Sequence, residues 1–244
     1  MTTKFRKTPL NSVRKYLPPK HKKLILKSIK EEGANGYIKD GTFSTEIVWG
    51  KKSFVFSNQG KKDTNNFKQG MFLFGMVRKD AKKFLATKDF RVPKKYQSVL
   101  YNKDNEVDLD AKMTATDLNH AYWRIAYNLG IISEITYLRG LPDKFKQIRL
   151  AALSTMGRKK QYSVIKNGEI TDDLLIIEGN DDLAEVYTFI RYTCFKYMND
   201  VRKMLGADFL AYKTDCIYYI DTKANREKVM QYFSKKDLLV KQLS

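Results

Sequence analysis

Between residues 182 and 205 apolar side chains recur at every third or fourth position: Val186, Phe189, Ile190, Tyr197, Val201 and Met204, with Thr193 among them. That spacing predicts an amphipathic helix, and Gly206 supplies its stop. Upstream, Tyr122, Ile125, Ala126 and Leu129 share one helical face within residues 119–130, and Pro142 introduces a further helix over about 144–156, closed by Gly157. Period-two patterns mark strands instead. Residues 162–166 and 174–178 flank Asn167-Gly168, a hairpin signal, and residues 209–212 and 216–220 are joined tightly through Lys213-Thr214. Residues 113–117 make a short strand before the first of these helices. The order β–α–α–ββ–α–ββ is that of an α+β domain with helices packed on an antiparallel sheet.

The first hundred residues are patterned less clearly. Residues 1–19 are basic, polar and proline-ended, and read as an arm or loose leader. Residues 20–32 carry Leu24, Ile25 and Ile29 at helical spacing. Residues 42–49 and 53–57 alternate around Gly50-Lys51-Lys52 and predict a hairpin. Residues 70–77 predict a strand and residues 79–86 a short helix. Pro93 and the Asn102-Lys103-Asp104-Asn105 turn mark a boundary near residue 100. The expected organisation is thus a small basic α/β module over residues 1–100 and an α+β domain over residues 101–244.

Charge sharpens that division. The chain has 244 residues and a formal net charge of +19. Residues 1–100 hold 24 Lys/Arg against 7 Asp/Glu, and residues 101–244 hold 22 against 20. The basic half suits a polyanion, and aromatics interspersed with its cations (Phe54, Phe56, Phe67, Phe72, Phe74) favour nucleic acid over an acidic protein. No stretch approaches the ~20 apolar residues that a membrane span requires, and no apolar core follows the cationic N-terminus as a signal peptide would need. Cys194 and Cys216 lack metal-ligand spacing and predict neither a disulfide framework nor an oxidising compartment, so a cytoplasmic location is expected.

Candidate chemistry lies in the second half. Asp117 ends the strand at 113–117, and Asp215 sits at the turn of the hairpin around residue 214. If those strands are neighbours, two carboxylates converge on one edge, where they can hold two Mg²⁺ (or Mn²⁺) ions for nucleotidyl transfer. Between them runs Arg149-Leu-Ala-Ala-Leu-Ser-Thr-Met-Gly-Arg-Lys-Lys160, a basic helix ending in glycine.

These segments resemble the palm of family B DNA polymerases. Asp117-Leu-Asn-His-Ala-Tyr122 is similar to that family's D-x-x-S-L-Y, with the aspartate and tyrosine in place. Arg149 to Gly157 is similar to K-x-x-x-N-S-x-Y-G, keeping a cation, Ser154 and Gly157. Ala211-Tyr-Lys-Thr-Asp-Cys216 looks like Y-G-D-T-D-S. The long helix carrying Arg191 has the matching position. The resemblance covers about residues 110–222.

The resemblance implies a polymerase-type palm with Asp117 and Asp215 as catalytic metal ligands. It implies Tyr122 as the gate against the sugar, and Arg149, Ser154, Gly157 and Lys213 around the incoming nucleotide. Arg158, Lys159 and Lys160 would track the nucleic-acid backbone. The implied protein is a miniature template-dependent DNA polymerase, encoded by a virus or mobile element and acting in the host cytoplasm. It would use a DNA primer-template and dNTP, with a priming or processivity protein as a further partner. Departures are Lys213 in place of an aspartate, Leu153 and Met156 in place of the asparagine and tyrosine, short fingers and no room for a thumb or an exonuclease domain. They leave open a degenerate palm that binds DNA or scaffolds a replisome. A reverse transcriptase is less favoured because Thr214 stands where it needs an aspartate, and a nuclease lacks further carboxylates.

Overall fold

The computed structural model describes residues 2–6, 10, 12–41, 44–58, 64–93, 97–101 and 112–243. The chain divides into two compact units, Met1–Gly75 with Thr155–Asp181, and Met76–Ser154 with Asp182–Ser244. The division anticipated near residue 100 coincides with none of the three borders, and the Asn102–Asn105 turn lies outside the described residues. Both units combine helices with β-sheet, an α+β fold. No helix among the described residues is long and apolar enough to cross a membrane.

The first unit is built on seven strands: β1 (Thr3–Arg6), β2 (Val13–Leu17), β3 (Gly36–Asp40), β4 (Ser44–Trp49), β5 (Lys52–Ser57), β8 (Lys160–Lys166) and β9 (Glu169–Ile177), in the order β1-β9-β8-β3-β4-β5-β2. The β4–β5 and β8–β9 hairpins form as their patterns predict. Asn167 and Gly168 both take positive φ (49° and 83°), the geometry that a two-residue hairpin turn needs. Helix α1 (His21–Glu31) contributes Ile29 to a core with Ile38, Ile47, Phe54, Phe56 and Ile165. Val48, Tyr162, Leu175 and Ile177 form a second cluster.

Two expectations for this region are overturned. The stretch 1–19, read as an arm, supplies both edge strands, β1 parallel to β9 and β2 parallel to β5. These edges pair through backbone amides while their side chains stay largely exposed, so no apolar alternation marks them. The strand expected at 70–77 and the short helix at 79–86 are instead parts of one helix, α2 (Thr64–Thr87). Its buried positions Leu73, Val77, Ala81 and Phe84 recur at helical spacing. The dense apolar run 71–77 hides that period.

The second unit has a five-stranded antiparallel sheet: β6 (Val99–Tyr101), β7 (Met113–Asn119), β10 (Phe209–Lys213), β11 (Cys216–Ile220) and β12 (Leu239–Leu243), in the order β12-β7-β11-β10-β6. Strand β7 lies between β12 and β11, and Thr116 Oγ1 hydrogen-bonds Tyr219 Oη at 2.8 Å inside the core. The helices are α3 (Ala121–Asn128), α4 (Glu134–Gly140), α5 (Lys146–Ser154), α6 (Asp181–Leu205) and α7 (Lys223–Lys235). The connectivity β7–helices–β10–β11–α7–β12 places β10 two strands from β7, and β12 on its other side, the split β-α-β pattern. Helix α7 starts on Thr222, whose hydroxyl accepts from Asn225 N at 3.1 Å. Arg124 on α3 donates to Asp237 at its carbonyl (2.9 Å) and carboxylate (2.6 Å), which fixes the turn that launches β12.

Packing is close where α4 meets α3. Trp123 is 1% exposed and donates its indole N–H to Tyr137 O at 3.1 Å, and a Cβ on Gly140 would overlap the indole ring. Gly140→Ala is expected to lower the unfolding free energy by about 1–3 kcal/mol, read as a drop in the urea midpoint with an unchanged slope.

Candidate carboxylate site

The residue across from Asp117 in β11 is Cys216, and the residue across from it in β12 is Lys241. Asp215, one residue before Cys216, therefore stands beside Asp117. The Leu118 amide donates to the Asp215 carbonyl at 2.9 Å, which ties the turn to β7. That turn is Thr214-Asp215, and Thr214 adopts φ 60°. A β-branched residue at positive φ is strained, and such strain persists only where surroundings hold it. Here the Thr214 amide donates to Ser98 O at 2.9 Å, and Cys194 Sγ of α6 lies 3.8 Å from the Thr214 carbonyl as donor. The strands expected to be neighbours are neighbours, and Asp117 is near enough for its charge to act on Asp215.

The electrostatics follow from that closeness. Burial, and next the charge of Asp117, push the Asp215 carboxyl above the usual aspartate value. Burial also raises Asp117, while Lys241 and Lys146 pull it back down. Two acids that resist joint ionisation are a donor pair that a divalent cation relieves. Among the described residues no group of three or more His, Cys, Asp or Glu side chains comes together as a metal site. The pair suits an ion such as Mg²⁺, which takes one or two carboxylates and fills its remaining positions from water or substrate phosphate.

Tyr122 is half-buried beside this pair. Burial, then Cys194 and Asp215, raise its hydroxyl, and its ring meets Tyr187 edge-on at 6.3 Å. Arg191 of α6 completes this corner, with its guanidinium 5.9 Å from the Tyr187 ring and 5.6 Å from that of Phe195. Lys213 is exposed and lies opposite Cys216 on β10.

Arg149 is a correction. It is 1% exposed, and its guanidinium donates to the carbonyls of Gly140 (2.8 Å), Leu141 (3.1 Å) and Pro142 (3.4 Å). A further contact reaches His120 Nδ1 at 2.6 Å. Its fork is occupied by the end of α4 and by the residue that leads from β7 into α3, so it is placed to brace the site and not to meet a triphosphate. Lys146, three residues earlier on the same stretch, is exposed and acts on Asp117. Lys241 was equally missed, because nothing in sequence announces that β12 pairs with β7.

The rest of the basic segment divides. Ser154 turns its hydroxyl back to Ala151 O at 3.4 Å. Leu153 and Met156, at the positions where a nascent base pair would be lined, are each 1% exposed core residues. Gly157 falls in the other compact unit, where its carbonyl accepts from Asn180 N at 3.0 Å. Arg158 and Lys159 are exposed, and Lys160 begins β8 with its charge acting on Glu46. Of the aromatics read as nucleic-acid contacts, Phe54 and Phe56 are buried in the core, and Phe72 is exposed.

No protein-family model, no curated protein and no solved structure matches the chain.

Because Asp215 is raised, the folded chain holds its proton more tightly than the unfolded chain does. Its contribution to stability is greatest below the ordinary aspartate range and is lost as pH rises through the folded value. Asp215→Asn should therefore raise the urea midpoint at neutral pH, with the gain shrinking towards about pH 3. Arg149→Met should cost at least about 1–3 kcal/mol by orphaning buried carbonyls, measured by the same unfolding curves.

Proposed function

We propose that this chain is a nucleotidyltransferase of the polymerase type, extending a DNA primer on a template from dNTP. The observation that carries the reading is the pairing of β7 with β11, which sets Asp117 beside Asp215 with cations close by. Asp117 and Asp215 would hold Mg²⁺ or Mn²⁺, and the ions would activate the 3′-hydroxyl and neutralise the phosphates in an in-line displacement that releases pyrophosphate.

The protein's own residues do the rest. Lys146 and Lys241, both exposed and both acting on Asp117, are the cations suited to the incoming triphosphate in place of Arg149. Tyr122, backed by Tyr187 and near Asp215, is suited to lie against the sugar and reject a 2′-hydroxyl. Arg149 fixes His120 and with it the path from Asp117 to Tyr122. Lys213 on the neighbouring strand can meet a phosphate of the primer. The charge of +19 favours a polyanionic substrate.

A second reading is a DNA-binding or replisome-scaffold protein with a degenerate palm. The burial of Leu153 and Met156 and the inward turn of Arg149 favour it, because three positions suited to nucleotide contact serve the core. Primer extension with Mg²⁺ or Mn²⁺ separates the two. Asp117→Ala and Asp215→Ala should each reduce extension by about 100-fold or more, with primer-template affinity retained. Tight binding without extension on any primer-template would replace the enzyme by the scaffold.

A further inference from the structure

The five-stranded sheet buries one face and leaves much of the other exposed, although Ala115 on it is buried at 6% exposure. On β7 and β11 the residues Thr116, Leu118, Ile217 and Tyr219 point into the core, each 1% exposed or less. The alternate positions form rows across the opposite face. One row runs Lys241, Asp117, Cys216, Lys213 and Val99 from β12 to β6. The next runs Leu243, Ala115, Tyr218, Ala211 and Tyr101. In this second row two aromatic rings stand in the open, Tyr218 at 41% and Tyr101 at 64% exposure.

The residue sizes along that row matter. Ala115 and Ala211 stand directly opposite Tyr218 on its two sides, so neither opposed side chain is bulky. The Tyr218 hydroxyl is hydrogen-bonded to Cys216 of the adjoining row. Ala211 is the only residue between the two tyrosines, which sit two strand spacings apart, about 10 Å. The row above carries Lys241 and Lys213, with Asp117 between their strands. Lys146 also acts on Asp117. Lys241, Lys213 and Lys146 of α5 thus stand around the Asp117–Asp215 pair, in a chain whose net charge is +19.

We propose that this open face is a stacking platform for single-stranded nucleic acid, with unpaired bases on Tyr218 and Tyr101 and phosphates at Lys213 and Lys241. Separated rings with nearby cations are the equipment that single strands use: every base has a π-face, and the backbone needs only positive charge. In a duplex the base faces are already stacked on one another and are not free to lie on the rings. A protein partner would be better served by contiguous apolar surface than by rings parted by alanines. This inference goes beyond nucleotidyl transfer, since stacking needs neither metal nor triphosphate. Only its corollary, that a stacked strand leads its end to Asp117 in the adjoining row, rests on that reading.

The test is fluorescence anisotropy in EDTA with a labelled oligothymidylate of about 12 nucleotides, within the span such surfaces bind, against a blunt duplex of equal length. Tyr218→Ala and Tyr101→Ala should each weaken single-strand binding by about 5- to 150-fold, and Tyr218→Trp should retain it. Lys213→Ala should shallow the salt dependence by about 0.7 in log–log slope. Both tyrosines are exposed, so urea midpoints should stay at the unsubstituted value, which separates lost docking from lost folding. Unchanged single-strand affinity in the alanine variants would overturn the proposal, as would equal losses for strand and duplex. So would conversion of an oligomer to a monomer by Tyr218→Ala with oligonucleotide affinity intact, which would make the face a self-association surface. Absence of primer extension would leave these binding outcomes untouched, and would count only against the enzyme reading.

Discussion

The register between β7 and β11 governs the candidate site. With Cys216 opposite Asp117, the Thr214-Asp215 turn closes beside the acid of β7, and the Leu118 amide locks onto the Asp215 carbonyl. Side chains alternate across a sheet, so a slip of one residue would send Asp117 into the core and expose Leu118. Leu118, Ile217 and Tyr219 are buried at 1% exposure or less, which makes such a slip costly. The hydrophobic face of the sheet thereby sets the position of charges on its other face.

That register brings together groups that repel. Asp215 is raised by burial and by Asp117, while the strained Thr214 that precedes it is held by Ser98 and Cys194. A protein with so many cations could have neutralised the pair with an ion pair to arginine. Instead its buried arginine, Arg149, is spent on backbone carbonyls, and the nearby lysines of α5 and β12 remain exposed. The acids stay available for a mobile cation, and the lysines for a mobile anion. This division between a braced interior and an open charged edge is the physical basis of the nucleotidyl-transfer proposal.

Much of the site's frame was legible in the chain. The helix at 182–205, both hairpins of its flanking regions and the turn that carries Asp215 all follow from local periodicity and turn residues. The misreadings have separate physical causes. Edge strands β1 and β2 earn their places by backbone pairing, which leaves no apolar alternation to read. The run at 71–77 is apolar on too many sides to reveal its helical period, and only burial of Leu73, Val77, Ala81 and Phe84 discloses it. Arg149 looked available because a cation's direction is invisible in sequence.

By itself, then, the sequence determined the segments whose structure is local: which stretches coil, which extend, and where Asn167-Gly168 or Gly206 ends them. It also determined that Asp215 would sit at the turn of a hairpin, whereas Asp117, expected to end its strand, lies inside β7, which pairs with β12 as far as Asn119. Tertiary structure decided which strands are neighbours, that β12 brings Lys241 to Asp117, that Arg149 turns inward and that the basic segment divides between two units at 154/155. The reason is physical. Helical and strand periods come from backbone geometry within a few residues, whereas strand pairing is made by amide and carbonyl groups common to nearly all residues, and is chosen by burial across the whole chain.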